Sequence, residues 1–320
     1  MSAPNKSASS LNITFFGSDL FAMPALSNIL KGPDKVNLAI SSPPARSGRG
    51  QTLTPTPIAI AARQADVKVY ETDDVNSQES LNIIEQSKPD LLVVAAYGHI
   101  LGKKLINLCS VPPINIHPSL LPRHRGPAPV NWTLISGDAV CGVSICYIEP
   151  KIDSGPVLLK KSLPVPEGLG AAAIQERLSH IGAELLMEAI EKIKDDSIAP
   201  VVQDENLATT NRLLTKNDGL INFNNSANTL MHLINGVDPW PGAQAVFNGK
   251  KIKLFGAFSA QGQGYPGEIL GLDEERRLIV GAGSGALALS ALQPESRKIL
   301  SAAEFYRGYR PTKLENAANS

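Results

Sequence analysis

Short apolar segments alternate with amphipathic segments along the first hundred residues of the chain. The segments that predict strands are LNITFF, VNLAI, VKVY and DLLVVAA, and those that predict helices are FAMPALSNIL, PIAIAARQA and SQESLNIIEQS. Apolar strands separated by amphipathic helices are typical of βαβ units, in which a parallel sheet is covered by helices on both faces. We therefore predict an α/β fold for the amino-terminal part.

The middle of the chain continues this part. GVSICYI and PVLLKKSLPV predict an antiparallel strand pair across the turn EPKIDSG, and a long amphipathic helix is expected over residues 169–194. Two loops rich in proline and glycine occupy residues 41–57 and 118–129. Loops of this length in a compact domain are usually functional.

The carboxyl-terminal part has a different pattern. After Val202 the composition is first that of a linker, in DENLATTNRLL, and then that of a short helix, in ANTLMHLI. The remainder predicts short strands between glycine turns, and Asn248-Gly249 is a strong signal for a two-residue hairpin. We expect an α/β domain in residues 1–206 and a small all-β barrel of five or six strands in residues 207–320.

Length and composition agree with two globular domains. A chain of 320 residues exceeds the common size of a single domain, about 100 to 150 residues. No apolar run approaches the roughly 18 residues that a membrane span requires. The first residues, MSAPNKSAS, have neither the apolar core of a secretory signal nor the pattern of a transit peptide. We therefore expect a cytoplasmic protein without a membrane partner, and the mitochondrial matrix is the alternative.

The net charge of the chain is zero, but the two parts of the chain differ in charge. Residues 1–206 contain 18 Lys and Arg against 21 Asp and Glu, which is −3, and residues 207–320 contain 12 against 9, which is +3. A weakly basic second part is compatible with an acidic partner such as a nucleic acid. The overall charge of zero does not by itself identify a nucleic-acid partner.

Two polar side chains occur on the strand that starts at Ile114. Asn115 and His117 alternate with Ile114 and Ile116, so on a strand both polar side chains point to the same face. Ligands of open parallel sheets gather at the carboxyl ends of the strands. The pair is either part of such a ligand site, or a histidine that hydrogen-bonds a loop carbonyl beside an asparagine that caps the loop. For a lone histidine the second interpretation is the more common one.

A carboxylate, Asp153, favours the interpretation of Asn115 and His117 as part of a ligand site. Asp153, in the turn KIDSGP, can approach His117 through the fold. An imidazole, an amide and a carboxylate suit acyl transfer, because one moves the proton, one stabilises an oxyanion and one orients the imidazole. The G-x-S-x-G pattern of a serine nucleophile is absent from the sequence, which favours direct transfer to an amine. The cysteine spacing is not that of a zinc site, and we expect no metal.

Four segments carry a resemblance to a known family. In chain order they are RSGRGQTLTPTP, NIHPSLLPRHRG, IDSGPVL and DPWPGAQAVFNGKKIKL. The strand and loop around NIHPSLLP, together with the later DSG, resemble the folate-dependent formyltransferase superfamily, and PWPGA narrows the resemblance to the methionyl-tRNA formyltransferases. The resemblance extends over nearly the whole chain. It implies a Rossmann-like formyltransferase domain with a parallel-rich sheet, followed by an OB-fold-like barrel that helps to hold tRNA.

The resemblance also implies a reaction and its residues. The formyl group of 10-formyltetrahydrofolate would pass to the α-amino group of methionine on initiator methionyl-tRNA, for translation initiation. By this resemblance Asn115, His117 and Asp153 form the catalytic set. The residues that would contact the folate co-substrate are Ser119, Leu120, Leu121 and Pro122.

The loop RSGRG is implied to contact tRNA. Arg46 and Arg49 would bind phosphates or base edges at the acceptor end, although a solvated surface loop is the alternative. The chain departs from the family here, since Gln51 and Thr52 stand where the family often has two lysines. We expect a weaker contact from this less basic loop.

The exposure or burial of four further residues is predicted from their sequence context. We expect Arg123, His124 and Arg125 to be exposed, either as contacts to a phosphate or folate tail or as a solvated run. Trp240, between two prolines, is expected to pack at the start of the second domain.

Two other functions are considered. A related enzyme with another acceptor would be a sugar-nucleotide N-formyltransferase or the glycinamide ribonucleotide enzyme of purine synthesis, and the residues beyond the first domain count against the latter. A tRNA-binding module with an inactive first domain is the other possibility, and the intact Asn115, His117 and Asp153 count against it. We expect the protein to be a monomer.

Overall fold

The structure, a computed structural model, describes residues 10–47 and 52–317. The chain divides into two compact units. The first contains the residues up to Gly126 and the segments Gly142–Ser162 and Glu176–Thr210, whereas Pro127–Cys141, Leu163–Gln175 and the residues from Asn211 onwards belong to the second. The predicted boundary at residues 206 and 207 lies close to the last junction. It did not include the two short earlier segments, and the assignment of one function to each part stays a prediction.

A seven-stranded sheet is the centre of the first unit. The strands are β1 (Asn12–Gly17), β2 (Lys35–Ser41), β3 (Ala45–Ser47), β4 (Thr52–Thr54), β5 (Val69–Glu71), β6 (Leu91–Ala95), β7 (Ile114–His117), β8 (Val140–Tyr147) and β9 (Val157–Pro164). Their order in the sheet is β5-β2-β1-β6-β7-β8-β9, and β3 and β4 form a separate antiparallel pair. The pairs from β5 to β7 are parallel, and β8 is antiparallel to β7. The predicted α/β class with a parallel-rich sheet is confirmed.

Helices follow the strands as the sequence pattern predicts. They are α1 (Met23–Lys31), α2 (Pro57–Gln64), α3 (Gln78–Gln86), α4 (Lys103–Ile106), α5 (Pro129–Ile135) and α6 (Ala171–Lys194). Local capping sets two of their starts, because the Thr56 hydroxyl accepts from the N–H of Ala59 and the Ser77 hydroxyl from that of Ser80. α4 and α5 were not predicted, since both are short and lie among glycine and proline residues. Within the described ranges no helix is both long and apolar enough to cross a membrane.

An antiparallel barrel forms the second unit. Its later elements are helices α7 (Ala227–Gly236) and α8 (Ala302–Tyr309) and strands β10 (Ala243–Phe247), β11 (Lys250–Ala260), β12 (Ile269–Leu272), β13 (Leu278–Gly281), β14 (Ala286–Pro294) and β15 (Leu300–Ser301). The strand order is β10-β11-β14-β13-β12, and β15 pairs with β14. The chain after α8 bridges both edges, because Glu315 pairs with Val246 of β10 and Lys313 with Glu268 just before β12. These bridges cover part of each edge of the sheet.

The predicted hairpin at Asn248-Gly249 is present in the second unit, whereas the predicted packing of Trp240 is not. Asn248 and Gly249 connect β10 and β11 with φ angles of 50° and 71°, as the asparagine-glycine pair predicts. The prediction that Trp240 packs into the unit was wrong, since this residue is 53% exposed. Phe223 and Phe305 are the aromatic side chains that are fully buried in the core of this unit, together with aliphatic side chains.

The first prediction concerns Gly142, on β8. A Cβ atom at this position would overlap the side chain of Leu120 and lie 2.6 Å from the backbone oxygen of Lys161. Gly142→Ala should therefore lower the free energy of unfolding by about 1–3 kcal/mol, the usual cost of overpacking. Urea unfolding followed by circular dichroism measures the change.

The control for this variant is Gly308→Ala. Gly308 lies inside α8 with open space around its Cα, so alanine should raise the stability by about 0.5–1 kcal/mol through helix propensity. A Gly142→Ala variant as stable as the wild type would contradict the close packing of Leu120 and Lys161 on β8.

Candidate active site

β7 carries the first two residues of the predicted catalytic set. The strand lies between the parallel β6 and the antiparallel β8, where Asn115 pairs with Cys146 and His117 with Ser144. His117 is the last residue of β7 and is buried, whereas Asn115 is half-buried. Alternation along the strand places their side chains on the same face of the sheet.

The loop between β8 and β9 brings Asp153 against both side chains. Its Oδ1 lies 3.4 Å from Nδ2 of Asn115, and its Oδ2 lies 3.5 Å from Nδ1 of His117. Oδ2 also accepts a hydrogen bond of 2.8 Å from the backbone N–H of Gly126. The structure thus places the three predicted side chains together. Gly126 is a further contributor that the sequence analysis missed, because a backbone donor has no residue-type signal.

The second ring nitrogen of His117 is bound to the protein itself. Nε2 lies 2.9 Å from the backbone oxygen of His124. A carbonyl oxygen only accepts hydrogen bonds, so Nε2 carries the proton and donates it. Nδ1 is therefore the nitrogen that faces Asp153 and is able to exchange a proton. The hydrogen bond to a loop carbonyl is thus present, and the Asp153 carboxylate lies on the other side of the ring; the ligand site stays a prediction.

The loop after β7 contains the four residues predicted to contact folate. The Ser144 hydroxyl on β8 donates to the backbone oxygen of Ser119 at 2.7 Å and accepts from the N–H of Leu121 at 3.2 Å. Ser119 and Leu121 are buried, whereas Leu120 and Pro122 are half-buried. Ser119 and Leu121 thus support the loop from the inside, and Leu120 and Pro122 keep surface that a ligand can meet.

The expectation that residues 123–125 are exposed was wrong for two of them. His124 and Arg125 are only 5% and 2% exposed, and Arg123 alone is exposed. The N–H of His124 donates to the Thr209 hydroxyl at 2.8 Å, and the Arg125 guanidinium donates to Gln203 Oε1 at 2.9 and 3.0 Å. The Arg125 guanidinium is thus bound within the first unit, by Gln203. Gln203 lies in the stretch after Val202, whose composition predicted a linker.

Of the two arginines predicted to contact tRNA, Arg46 lies within the described residues. Arg46 belongs to β3 and is exposed. Arg49 lies outside the described residues, as does Gln51. The tRNA contact of this loop stays a prediction.

A thiol lies behind the three side chains. Burial, with the negative charge of Asp153 added to it, raises the pKa of Cys146 far above its usual range. A thiol that stays protonated is a poor nucleophile. Among the described residues no group of three or more His, Cys, Asp and Glu side chains is arranged to hold a metal ion. The site therefore offers hydrogen-bond donors and a proton acceptor, which suits direct transfer of an acyl group.

Comparisons with known proteins agree with this site. Residues 11–190 match the family model described as formyl transferase, and residues 213–310 match that of the formyl transferase carboxyl-terminal domain. The chain is 36% identical over 300 residues to the methionyl-tRNA formyltransferase of Citrifermentans bemidjiense, which covers 94% of each chain. It is 35% identical over 302 residues to that of Syntrophus aciditrophicus, with 94% of this chain and 96% of the relative covered.

A solved structure shares the fold at lower identity. HypX from Aquifex aeolicus, in complex with tetrahydrofolic acid, superimposes with a TM-score of 0.61 and 20% identity. The match covers 94% of this chain and about half, 48%, of the longer HypX chain. The likeness in both units, together with the identity to the curated relatives over nearly the whole length, assigns the chain to the formyltransferase family, among the methionyl-tRNA formyltransferases.

Proposed function

We propose that this protein transfers the formyl group of 10-formyltetrahydrofolate to the α-amino group of methionine on initiator methionyl-tRNA. The observation that carries the proposal is the approach of Asn115 and His117 to the Asp153 carboxylate, at 3.4 and 3.5 Å, in a chain of this family. An amide, an imidazole and a carboxylate at this spacing are the groups that an amine-to-formyl transfer needs.

The reaction is a direct transfer between two nitrogens. The neutral amine of methionine forms a bond to the formyl carbon, and the formyl oxygen becomes an oxyanion. The bond between the formyl carbon and the folate nitrogen then breaks, and the proton lost by the amine goes to that folate nitrogen. No covalent enzyme intermediate is required, which agrees with the raised pKa of the buried Cys146 thiol.

Each side chain has a defined part in this transfer. Asn115 Nδ2 donates to the oxyanion, and His117 Nδ1 does so in the imidazolium form, in which both ring nitrogens carry a proton. Asp153 holds the imidazole in its orientation and relays the proton, while Gly126 fixes the carboxylate by its N–H at 2.8 Å. The hydrogen bond from Nε2 to the carbonyl of His124 holds the imidazole ring in place for this role.

The substrates meet the protein on different segments. The folate co-substrate lies against the loop of residues 119–122, where Leu120 and Pro122 provide apolar surface. The acceptor end of the tRNA lies against Arg46 and Arg49. The net charge of +3 of residues 207–320 supports a tRNA contact by this carboxyl-terminal part of the chain.

The broader assignments follow from the substrate. Formylation of the initiator methionyl-tRNA places the protein in translation initiation, in the cytoplasm of a bacterial cell, as the bacterial origin of the relatives supports. We propose that it acts as a monomer and without a metal ion.

A sugar-nucleotide N-formyltransferase is the alternative function. The chain is at least 35% identical over 94% of its length to relatives named methionyl-tRNA formyltransferase, which favours tRNA as the acceptor. The deciding assay offers labelled 10-formyltetrahydrofolate with either charged initiator tRNA or amino-sugar nucleotides. Transfer to the sugar nucleotides alone would overturn the proposed acceptor.

The second prediction tests the catalytic assignment. His117→Ala and Asp153→Asn should each reduce kcat by about 10²–10⁴-fold, the usual contribution of a positioned acid or base. Affinity for tRNA should stay near the wild-type value, because neither side chain belongs to the tRNA segments. Single-turnover formylation and filter binding measure the two quantities.

The matched control is His180→Ala. His180 lies on α6 with its side chain exposed, and its removal should leave kcat unchanged. Full activity of His117→Ala or of Asp153→Asn would discard the catalytic assignment.

The third prediction concerns the tRNA contact of the loop that contains Arg46. Binding of tRNA should weaken as salt rises, because each phosphate contact releases counterions. Arg46→Ala should reduce the slope of log K against log salt by about one unit, whereas Arg177→Ala, at an exposed position of α6, should not. Equal slopes for the wild type and Arg46→Ala would exclude a phosphate contact by Arg46.

A further inference from the structure

The segment of residues 201–210 is bound to both loops of the site within the first unit. Val201 pairs with Val157 at the start of β9, with two backbone hydrogen bonds of 2.8 Å. Thr209 accepts from the backbone N–H of Arg125 at 2.9 Å and donates its own N–H to the oxygen of Pro122 at 3.2 Å. The segment thus joins the loop that follows β7 to the loop that carries Asp153.

Gln203 is the side chain of this segment that reaches the catalytic loop. Its Nε2 donates to the backbone oxygen of Asp153 at 2.9 Å and to that of Gly155 at 2.7 Å. The residue is 7% exposed. Both amide protons therefore form hydrogen bonds with the two carbonyls of the turn. Gln203 binds the backbone of Asp153 rather than its carboxylate.

The turn needs such support. Asp153 has a φ of 50°, in the left-handed region that residues other than glycine rarely occupy. Such a conformation persists where the surroundings determine it more strongly than the residue itself does. The turn is also close to β8, since a Cβ atom at Gly155 would overlap the backbone oxygen of Tyr147. Loss of the two hydrogen bonds from Gln203 would leave this backbone free to relax.

Arg125 determines which way the amide of Gln203 points. Its Nε and Nη2 donate to Oε1 of Gln203 at 3.0 and 2.9 Å. Because a guanidinium only donates, the amide oxygen has to face it and the NH₂ group has to face the turn. The charge of the buried guanidinium is met by Glu205 at 2.8 Å, which also pairs with Lys151 at 2.7 Å.

We infer that Gln203, oriented by Arg125, is a positioning residue for the Asp153 carboxylate. Two hydrogen bonds hold the turn in its left-handed conformation, and the turn places the carboxylate 3.4 and 3.5 Å from Asn115 and His117. The inference rests on the proposed function, since it assigns a role to Gln203 through Asp153. A displacement of the order of 1 Å at a catalytic group costs up to about 10²-fold in rate.

The test compares Gln203→Glu and Gln203→Met with Asp153→Ala and with the Asp153→Ala/Gln203→Glu double variant. Glutamate keeps an oxygen for Arg125 but replaces the NH₂ donor by an acceptor, and methionine keeps the length without either group. Both single variants should lose about 10- to 100-fold in kcat, with KM for each substrate within about twofold of the wild type. Gln78→Glu, at an exposed position of α3, is the matched control and should be fully active.

The double variant separates positioning from a general structural role. If Gln203 acts only through Asp153, adding Gln203→Glu to Asp153→Ala should lower the single-turnover rate by no more than about twofold. Additive losses would overturn the inference, as would a wild-type kcat in both Gln203 variants or a loss equal to their unfolded fraction. A wild-type rate in Asp153→Ala would overturn the inference together with the catalytic assignment, whereas an active Gln203 variant beside an inactive Asp153→Ala would overturn the inference alone.

Discussion

The carboxylate of Asp153 is the group on which the geometry of the site depends. With a side chain only 14% exposed, it needs partners for its oxygens, because an unpaired charge is costly in a poorly solvated place. Asn115 and His117 supply two of these partners from β7, and Gly126 supplies the third from the loop that follows. One charge thus ties three separate segments of the chain into a single site, with the open nitrogen of the imidazole beside it.

Support for this arrangement comes largely from side chains outside the three that form the site. The Ser144 hydroxyl on β8 holds the backbone of residues 119–121, and Gln203 holds the turn at Asp153. The division has a physical reason: a loop that binds a ligand keeps part of its surface open, so its backbone hydrogen bonds have to be completed from behind. Leu120 and Pro122 keep that open surface because Ser119 and Leu121 are turned inward.

Much of the fold was predictable from periodicity. The strands of the seven-stranded sheet, the long helix α6 and the hairpin at Asn248-Gly249 follow apolar patterns and turn chemistry that operate over a few residues, whereas β3 and β4 lie in the stretch predicted to be a loop. The roles of His124, Arg125 and Gln203 were not predictable, since each depends on a partner dozens of residues away. Arg125 resembles a surface charge in sequence and is buried because Gln203 and Glu205 bind it. Trp240 shows the converse, as a large apolar residue that is exposed.

The sequence by itself determined the class of fold, the two-part organisation and the residue types of the site, because strand alternation and the NIHPSLLP and DSG motifs are local properties. The tertiary structure decided which atoms meet. It bound Nε2 of His117 to a backbone carbonyl, turned Nδ1 towards Asp153, and placed a segment of linker-like composition behind the turn at Asp153. Such contacts join residues 7 to 50 positions apart, and their geometry follows from how strands and loops pack rather than from any local pattern.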